Sequence, residues 1–234
     1  MAHEHYRTKG IVLAKENSGE ADQIFILYTQ DFGKVEVAGK AIRKITSKLK
    51  AGIDLFYFIE LEFIQGKNRK TLTDAIIIDK FPNIRKNIEM LDLAGQIAFV
   101  VCSFGHIQEK DEKIWELIAK SFFAFNNYEL GSLKHYFLWN FLVLLGYAPE
   151  LYNCSVCSKK LLPETLFFSP QNGGVVCKRC CDFPAQGISV ETVKLIRFFL
   201  LEPIEQIKRL NVSEKVLQDL DKIFSCYFDF LTEK

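Results

Sequence analysis

The sequence predicts an α+β protein with more than one domain, and three observations lead to this fold class. Five short runs rich in β-branched and aromatic residues fill the segment from residue 6 to about residue 80, which is typical of strands. Beyond that segment, apolar residues recur at intervals of three and four, which is typical of helices. Two CxxC pairs, Cys154/Cys157 and Cys177/Cys180, interrupt this helical pattern. We therefore expect an N-terminal five-stranded barrel, followed by an all-α helical bundle that a four-cysteine segment interrupts.

Composition and charge limit the classes of protein to which the chain can belong. A hydrophobic share of 49% with 25% charged residues is ordinary for a globular protein. The net charge of +1 excludes a global basic field, so any anion-binding surface must come from local clustering. The N-terminus has no apolar signal core, and the longest apolar run, 136–147, is broken by Asn140 and too short to span a bilayer. We expect a cytoplasmic protein.

The N-terminal domain, residues 1–80, has the strand and turn pattern of a small barrel. Its runs, such as TKGIVLAKE and ADQIFILYT, are separated by turn signals that include Asn17-Ser18-Gly19. Five strands in so short a segment fit a closed or half-closed barrel. The OB-fold is a five-stranded barrel of this size, and OB-folds often bind nucleic acid.

Positive charge in this domain is concentrated in two short stretches. The first has no acidic residue between Glu36 and Asp54, and the second lies at the tip of a predicted hairpin. Clustered Lys and Arg on the loops of a barrel would neutralise phosphates and release counterions, which predicts contact with DNA or RNA. A solvated loop whose lysines only aid solubility is the alternative. The first stretch holds Lys40, Arg43, Lys44, Lys48 and Lys50, and the second holds Lys67, Arg69 and Lys70.

The second domain, residues 81–234, is predicted to be helical outside the cysteine-rich segment. Periodicity predicts one long helix over 84–101 and a second over 114–125. The run 136–145 is apolar on nearly all sides, so it should lie at the centre of a bundle.

Capping residues predict where the last two helices begin. Ser189 can cap a helix that continues to Leu201. Asn211 and Glu214 have the spacing of a capping box at the start of the final helix. These helices should pack against the bundle that precedes the cysteines, so the cysteine-rich segment is an excursion from one α domain.

The two CxxC pairs have the spacing of a structural zinc site. The gap between them is 158–176, and zinc needs four soft ligands in a tetrahedron. Gly173 and Gly174 allow a tight hairpin that would bring the second pair back to the first. The sequence therefore predicts a zinc knuckle over 152–183 that holds one structural Zn²⁺ per chain. Its predicted ligands are Cys154, Cys157, Cys177 and Cys180.

Three alternatives to this ligand set stay open on the sequence alone. The cysteines could form disulfides, although an odd total of seven and the paired spacing favour a metal in a reducing compartment. A thioredoxin-like redox CxxC is the second alternative, but it needs a βαβ context that the surrounding residues do not provide. Cys181 directly follows Cys180 and could replace it as the fourth ligand.

The sequence carries no familiar catalytic signature. It contains no GxxxxGK[ST] loop, no GxGxxG after a strand, no HExxH and no GxSxG. A shell of four thiolates also leaves no open position on zinc for a water or a substrate. We therefore expect a protein that is not an enzyme.

With these residues in view, the chain resembles the bacterial RecO family of DNA repair proteins. TKGIVLAKENSGEADQIFILYTQDFGKVEVAGKAIRK has the family's order of a G-I-V-L strand, a G-E-[AS]-D turn, a second strand and a basic loop. LLGYAPELYNCSVC followed by FFSPQNGGVVCKRC is similar to the family's junction between helical bundle and zinc knuckle. The resemblance extends from about Thr8 to the final helix, and it implies an OB-fold, a helical domain and a zinc-binding segment.

RecO-like proteins are recombination mediators that work without catalytic residues. The resemblance implies binding of single- and double-stranded DNA, annealing of complementary strands and association with the bacterial nucleoid. It also implies pairing with RecR, contact with the C-terminal tail of single-stranded-DNA-binding protein, and help in loading RecA. The alternative function is a zinc-containing protein-interaction adaptor that does not bind DNA directly.

The resemblance also indicates which residues contact DNA. Family members commonly read A-K-G-[AV]-R in the basic loop, whereas this chain reads AGKAIR over 38–43. Gly and Lys are thus transposed, and one residue more precedes the arginine, so the loop keeps its basic character while its cations are spaced differently. The implied contacts are Lys40, Arg43, Lys44 and Lys48, with Lys9 on the first strand as a weaker candidate.

Overall fold

Two compact units make up the structure, residues 1–127 and 128–234. The computed structural model describes residues 4–67, 69–104, 109–128, 131–181 and 185–233, so the last two residues of the predicted knuckle lie outside the described residues. The first unit combines the predicted barrel with the helices that follow it, and the domain boundary at 80/81 stays a prediction. In the part of the chain that the structure describes, no helix is both long and apolar enough to cross a membrane.

The secondary-structure elements follow the predicted order of strands, helices, cysteine-rich segment and helices. In the first unit the strands are β1 (His5–Ser18), β2 (Asp22–Thr29), β3 (Gly33–Gly39), β4 (Phe58–Gln65) and β5 (Lys70–Asp79). The helices of that unit are α1 (Pro82–Lys86), α2 (Ile88–Ser103) and α3 (Glu112–Asn127). The second unit contains α4 (Gly131–Leu144), β6 (Leu166–Ser169), β7 (Gly174–Cys177), β8 (Gln186–Ile188), α5 (Val190–Leu201), α6 (Ile204–Ile207) and α7 (Glu214–Thr232).

The five N-terminal strands form a closed barrel in the order β1-β2-β3-β5-β4, with β4 returning to β1. All neighbours are antiparallel except β3 and β5, which pair in parallel at Val37↔Lys70 and Ala38↔Thr71. This confirms the five-stranded barrel, and the strand order is that of an OB-type Greek key. Alternate residues of β4 point inward, because Ile59, Leu61 and Phe63 are each at most 1% exposed.

β1 is long enough to pair with two neighbours. Its first half pairs with β4, from His5 to Ile11, and its second half pairs with β2 as far as Ser18. The register shifts between Val12 and Ala14, and such an irregularity bends a strand and increases its twist. This bend allows one strand to close the barrel.

A break at Asn87 divides the first predicted helix in two. Asn87 has an extended backbone, with φ −110° and ψ 119°, and its side chain accepts hydrogen bonds from the backbone N–H groups of Glu89 and Met90. It is therefore the N-cap of α2. The expectation of one helix over 84–101 was wrong at this point. The apolar residues keep their helical spacing across Asn87, but the Asn87 side chain binds backbone N–H groups and so ends one helix and begins the next.

The apolar run in the second unit lies at the centre of its helices, as the sequence predicted. Phe137, Trp139 and Phe141 of α4 are fully buried, and α5 and α7 pack against this helix. Two polar residues of α4, Lys134 and His135, are buried beside them. These two side chains face Asp221 of α7, and Lys134 Nζ lies 2.5 Å from Asp221 Oδ1.

One of the two predicted caps lies where the sequence placed it. Ser189 caps α5, and its side chain accepts a hydrogen bond from Thr192 N. The final helix instead begins two residues later than the capping-box spacing suggested, with Ser213 as N-cap and Glu214 as its first residue. Asn211 lies outside the helix.

Candidate metal centre and basic loops

The first CxxC pair lies in a tight turn that reverses the chain. Cys154 N donates to the Lys159 carbonyl at 2.8 Å, and Ser158 N donates to the Cys154 carbonyl at 2.8 Å. Ser158 closes the turn with φ +57°, a left-handed conformation uncommon outside glycine. These bonds aim Cys154 and Cys157 to the same side of the turn.

The second pair begins at the end of a β-hairpin. β6 and β7 pair antiparallel from Leu166↔Cys177 to Ser169↔Gly174, and Gly173 makes the connecting turn with φ +62°. Cys177 is the last residue of β7, and a 3₁₀ turn over Lys178–Cys180 follows it. This turn brings Cys180 back beside Cys177.

A short backbone ladder holds the two cysteine turns side by side. Glu150 N donates to the Gly173 carbonyl at 2.9 Å, Val175 N donates to the Glu150 carbonyl at 2.8 Å, and Ser155 N donates to the Val175 carbonyl at 3.0 Å. The two chains approach so closely at Gly174 that a Cβ there would lie 2.4 Å from the Glu150 carbonyl oxygen. Gly174 is therefore required by this close approach, whereas Gly173 serves the hairpin turn.

All four predicted metal ligands come together. Their Sγ atoms lie within 4.8 Å of one another, and Cys157 Sγ is 4.0 Å from Cys177 Sγ. A tetrahedron with Zn–S bonds of about 2.3 Å has sulfurs about 3.8 Å apart, so this thiol cluster has the size and the chemistry of a structural metal site. Each of the seven cysteines is a free thiol, and Cys181 does not belong to the cluster.

The electrostatics of the cluster differ from thiol to thiol. Burial opposes ionisation of Cys154, but backbone N–H groups of Cys157, Cys177 and Val156 outweigh it and lower the Cys154 pKa to about 6. Cys180 instead donates its S–H to the Cys157 and Cys177 sulfurs, which favours its protonated form and raises the pKa of Cys180 to about 12. Thiols packed this closely compete for negative charge, and a bound divalent cation would relieve that competition.

The longer basic loop, residues 40–52, is fixed against the barrel. Ala41 N donates to Asp22 Oδ1 at 2.7 Å, and Arg43 N donates to the Ala21 carbonyl at 2.9 Å. Ile42 inserts into the barrel core at 1% exposure. At the other end of the loop, Gly52 lies so close to Ala75 of β5 that a Cβ would come within 2.1 Å of its carbonyl oxygen.

The cations of this loop point into solvent. Arg43 also donates through Nη1 to the Gly19 carbonyl at 3.3 Å. In the described ranges, none of the loop's lysines nor Arg43 forms a salt bridge. Ile45, between them, is 99% exposed. The exposed cations are Lys40, Arg43, Lys44, Lys48 and Lys50.

The second basic cluster lies in the hairpin between β4 and β5. Lys67 and Arg69 are exposed in the β4–β5 hairpin, and Lys70 opens β5 opposite Val37 of β3. β3 ends at Gly39, two residues after Val37, and the loop 40–52 follows it. Lys70 therefore lies near the end of β3 from which the longer basic loop continues.

Lys9 belongs to neither cluster. It is exposed on β1, opposite Glu60 of β4, and the Glu60 carboxylate already accepts a hydrogen bond from Arg7. The predicted DNA contacts thus form two separate basic clusters and one lysine beside acidic residues. Two further basic pairs, Lys159–Lys160 and Lys178–Arg179, flank the thiol cluster and were not assigned a role from the sequence, although CKRC shows the second pair directly.

Comparisons with known proteins agree with this architecture. The family model for the N terminus of recombination protein O matches residues 1–81, and the model for its C terminus matches residues 98–234. The chain is 31% identical to the DNA repair protein RecO of Dehalococcoides mccartyi over 231 residues, which cover 98% of this chain and 91% of that protein. It is 29% identical to RecO of a Thermoanaerobacter species, over 94% of this chain and 90% of the relative, and 28% identical to RecO of a Roseiflexus species, over 98% and 82%. The chain belongs to the RecO family of DNA repair proteins.

Proposed function

We propose that this chain is a non-enzymatic recombination mediator. It binds single- and double-stranded DNA, anneals complementary strands and, with RecR, helps to load RecA onto DNA coated by single-stranded-DNA-binding protein. One observation carries the proposal: the barrel presents exposed cations, which form no salt bridge among the described residues, on the loop that follows β3 and on the β4–β5 hairpin beside it. OB-folds bind oligonucleotides on the face of β2 and β3 and on the loops beside it.

The register of β3 and β5 brings the two clusters close together. Lys70 pairs with Val37, and Lys40 follows Val37 by three residues, so at about 3.3 Å per residue the two backbones lie roughly 10 Å apart along the strand. One short single-stranded segment can therefore contact both clusters, since OB-folds occupy about 4–16 nucleotides. Lys34 Nζ, at the start of β3, donates to the carbonyls of Cys102 and Phe104 at the end of α2, so this cation supports the helix end rather than DNA.

Annealing requires no catalytic group. Two phosphate backbones repel each other, and clustered cations lower that repulsion and release counterions when they bind. Lys40, Lys44 and Lys48 extend from a loop whose backbone is held by Asp22 and by Ala21. A fixed loop can present these charges without first being ordered.

We further propose that the four clustered thiols hold one structural Zn²⁺ per chain. When bound, the ion would tie the turn of Cys154 and Cys157 to that of Cys177 and Cys180, because it supplies the positive charge that four thiolates need. A closed shell of this kind has a structural role and no reaction of its own. Cys181 is not needed as a ligand in this arrangement.

The experiment that tests DNA binding is a salt series with fluorescent single-stranded DNA. Lys40→Glu with Arg43→Glu should weaken binding by about tenfold or more and lower the salt slope by about 1–2, since each phosphate contact on a single strand contributes about 0.7. Lys86→Glu with Lys113→Glu is the matched control, because both lysines are exposed in the same unit and lie outside the basic loops. Equal affinity and slope in the two double variants would reject the basic loop as a DNA contact.

A groove in the second unit supports the partner role. Leu162, Leu166 and Val190 line it with apolar groups, and Lys194 and Arg197 line it with cations. This chemistry fits the acidic, apolar-tipped tail that RecO-like proteins engage on single-stranded-DNA-binding protein. Lys194→Glu should weaken binding of a labelled tail peptide, whereas Lys222→Glu, an exposed lysine of α7, should not. Peptide binding without any DNA binding would favour the adaptor function.

A further inference from the structure

The turns that carry the four thiols also carry four cations. Lys159 and Lys160 follow the first CxxC pair, and Lys178 and Arg179 lie inside the second. All four side chains are exposed, and none of them forms a salt bridge in the portion of the chain that is described. Glu164 is the one acidic residue between 152 and 181, so this segment has a net charge of +3.

The fold brings the two turns that carry these cations together. The thiol sulfurs of the two turns lie within 4.8 Å of one another, so the backbone segments next to them are also close. The Lys159 carbonyl accepts the Cys154 N–H at 2.8 Å, and Lys160 pairs with Asn153 in an antiparallel bridge. The 3₁₀ turn fixes the backbone of Lys178 and Arg179. Both pairs therefore extend from rigid backbone.

An exposed aromatic side chain lies beside the first of these cation pairs. Tyr152 is 51% exposed, and its carbonyl accepts the Leu161 N–H at 3.0 Å, next to Lys160. The Arg197 guanidinium lies 4.5 Å from the centre of the Tyr152 ring and holds it in place. A sequence-tolerant site for single-stranded nucleic acid has two parts. Cations bind along the phosphate backbone, and an aromatic ring offers a surface on which a base can stack.

Charge compensation of the metal site does not account for this surface. Four thiolates with one Zn²⁺ carry a net charge of −2, which is half of what four cations supply. Cys154 is the most buried of the four cysteines, and its Sγ accepts a hydrogen bond from a backbone group, the Cys177 N–H, at 3.4 Å. The side chains of the cations are solvent-exposed instead.

We propose that the cysteine-rich segment is a second surface for the phosphate backbone of single-stranded DNA, in addition to the barrel. The inference rests on the proposed DNA binding by the barrel, and it gives annealing a physical basis. Annealing brings two strands together, and the chain offers one cationic surface in each compact unit. Each unit holds one strand.

The test removes the four charges of the cysteine-rich segment. Lys159→Gln, Lys160→Gln, Lys178→Gln and Arg179→Gln are combined, and binding of fluorescent oligo(dT) is measured across a salt series with the zinc content of each preparation. The salt slope should fall by up to about 3, at about 0.7 for each phosphate contact. Annealing of two complementary oligonucleotides should slow by about tenfold, because the second strand loses its surface.

The matched control removes four charges elsewhere in the same unit. Lys208, which is half-buried, and the exposed Arg209, Lys215 and Lys222 are each replaced by Gln, and annealing should stay within about twofold of the unchanged protein. Equal annealing and equal slopes in the two quadruple variants would overturn the inference. If the quadruple variant near the thiols loses its zinc and the control does not, the double variant Lys159→Gln with Lys160→Gln decides the question. A double variant that keeps its zinc and lowers the salt slope by about 1.4 supports the inference, and any other result counts against it.

Failure of this inference is distinguishable from failure of the proposed function. If the barrel variant Lys40→Glu with Arg43→Glu loses binding while the four substitutions near the thiols change nothing, only the second surface is rejected. If the unchanged protein binds no oligo(dT) at moderate salt, DNA binding as a whole is rejected.

Discussion

A single methyl group at Gly174 should separate the two cysteine turns. The Cβ of an alanine there would lie 2.4 Å from the Glu150 carbonyl oxygen and 2.7 Å from both Glu150 N and Ser155 Oγ. Ordinary contact begins at 3.4 Å, so residues 150–155 would have to move away by about 1 Å. The two closest contacts are with backbone atoms, which cannot rotate aside.

The expected magnitude follows from the hydrogen bonds that this movement breaks. Three backbone bonds join the segments, those of Glu150 N, Val175 N and Ser155 N, at 2.8–3.0 Å. A shift of about 1 Å takes all three out of range, and each contributes about 0.5–1.5 kcal/mol net. We expect a loss of about 2–3 kcal/mol in the free energy of unfolding. Because metal binding is coupled to folding, about 2 kcal/mol corresponds to roughly 30-fold weaker zinc binding.

Urea unfolding and zinc competition with a chromophoric chelator measure both quantities. Gly187→Ala is the matched control, since Gly187 lies in β8 of the same unit and a Cβ there would meet nothing within 4 Å. The control should change stability by less than about 0.5 kcal/mol. Equal stability and equal zinc affinity in the Gly174 and Gly187 variants would refute the reasoning, because the cysteines would then converge without the ladder at Glu150.

Three more predictions concern the second unit. Cys177→Ala should release the zinc and lower the melting temperature of the protein. A chelator that leaves the melting temperature of the unsubstituted protein unchanged would contradict a structural metal. Asp221→Asn removes the negative charge beside Lys134, whose side chain is 9% exposed while that of Asp221 is 51% exposed, and should cost about 1–2 kcal/mol in urea unfolding. Asp229→Asn, on the exposed face of the same helix, should cost less than about 0.5 kcal/mol. Burial, then the charge of Lys134, lowers the pKa of His135 to about 3. The unfolded chain therefore binds a proton at His135 near pH 6.5, whereas the folded protein does not. The free energy of unfolding should fall by up to about 1.4 kcal/mol per pH unit below pH 6, and His135→Leu should remove this pH dependence. An unchanged pH profile of stability in this variant would contradict the role of His135.

The sequence predicted features that depend on local periodicity or on ligand chemistry. Ile59, Leu61 and Phe63 alternate as a half-buried strand must, and this pattern is visible without any knowledge of the neighbouring strands. The thiol cluster was predictable because four soft ligands at this spacing have to converge for a metal to bind. In both cases the physical requirement lies within a short stretch of chain.

Long-range pairing was beyond the reach of these patterns. The parallel contact of Val37 with Lys70 closes the barrel, yet neither strand's alternation says which neighbour it takes. Gly174 was expected to serve a hairpin turn, and its main role is the close approach to Glu150, which no local signal reveals. Lys134 lies just before the apolar run 136–145, and its partner Asp221 is on another helix.

The way in which the basic loop is held suggests that its geometry, and not only its charge, determines DNA affinity. Ala41 adopts a left-handed φ of +51°, and its N–H donates to Asp22 Oδ1 at 2.7 Å. Ordering a backbone residue costs about 1–2 kcal/mol, so a loop that is already ordered binds DNA without that cost. Asp22 thus has two opposite effects, because its negative charge repels phosphates while its hydrogen bond fixes the cations.

Asp22→Ala separates these two effects by the sign of the change. If charge alone determines affinity, removal of this carboxylate tightens binding of single-stranded DNA. If the ordered loop is required, the same substitution weakens binding by about three- to tenfold, which corresponds to roughly 1 kcal/mol of loop ordering. Glu20→Ala removes the same charge from the neighbouring turn, where the side chain is exposed and has no bond to the loop, and it should tighten binding slightly. Tighter binding in both variants would show that the loop acts as a charge cluster and that its fixed geometry is irrelevant to DNA.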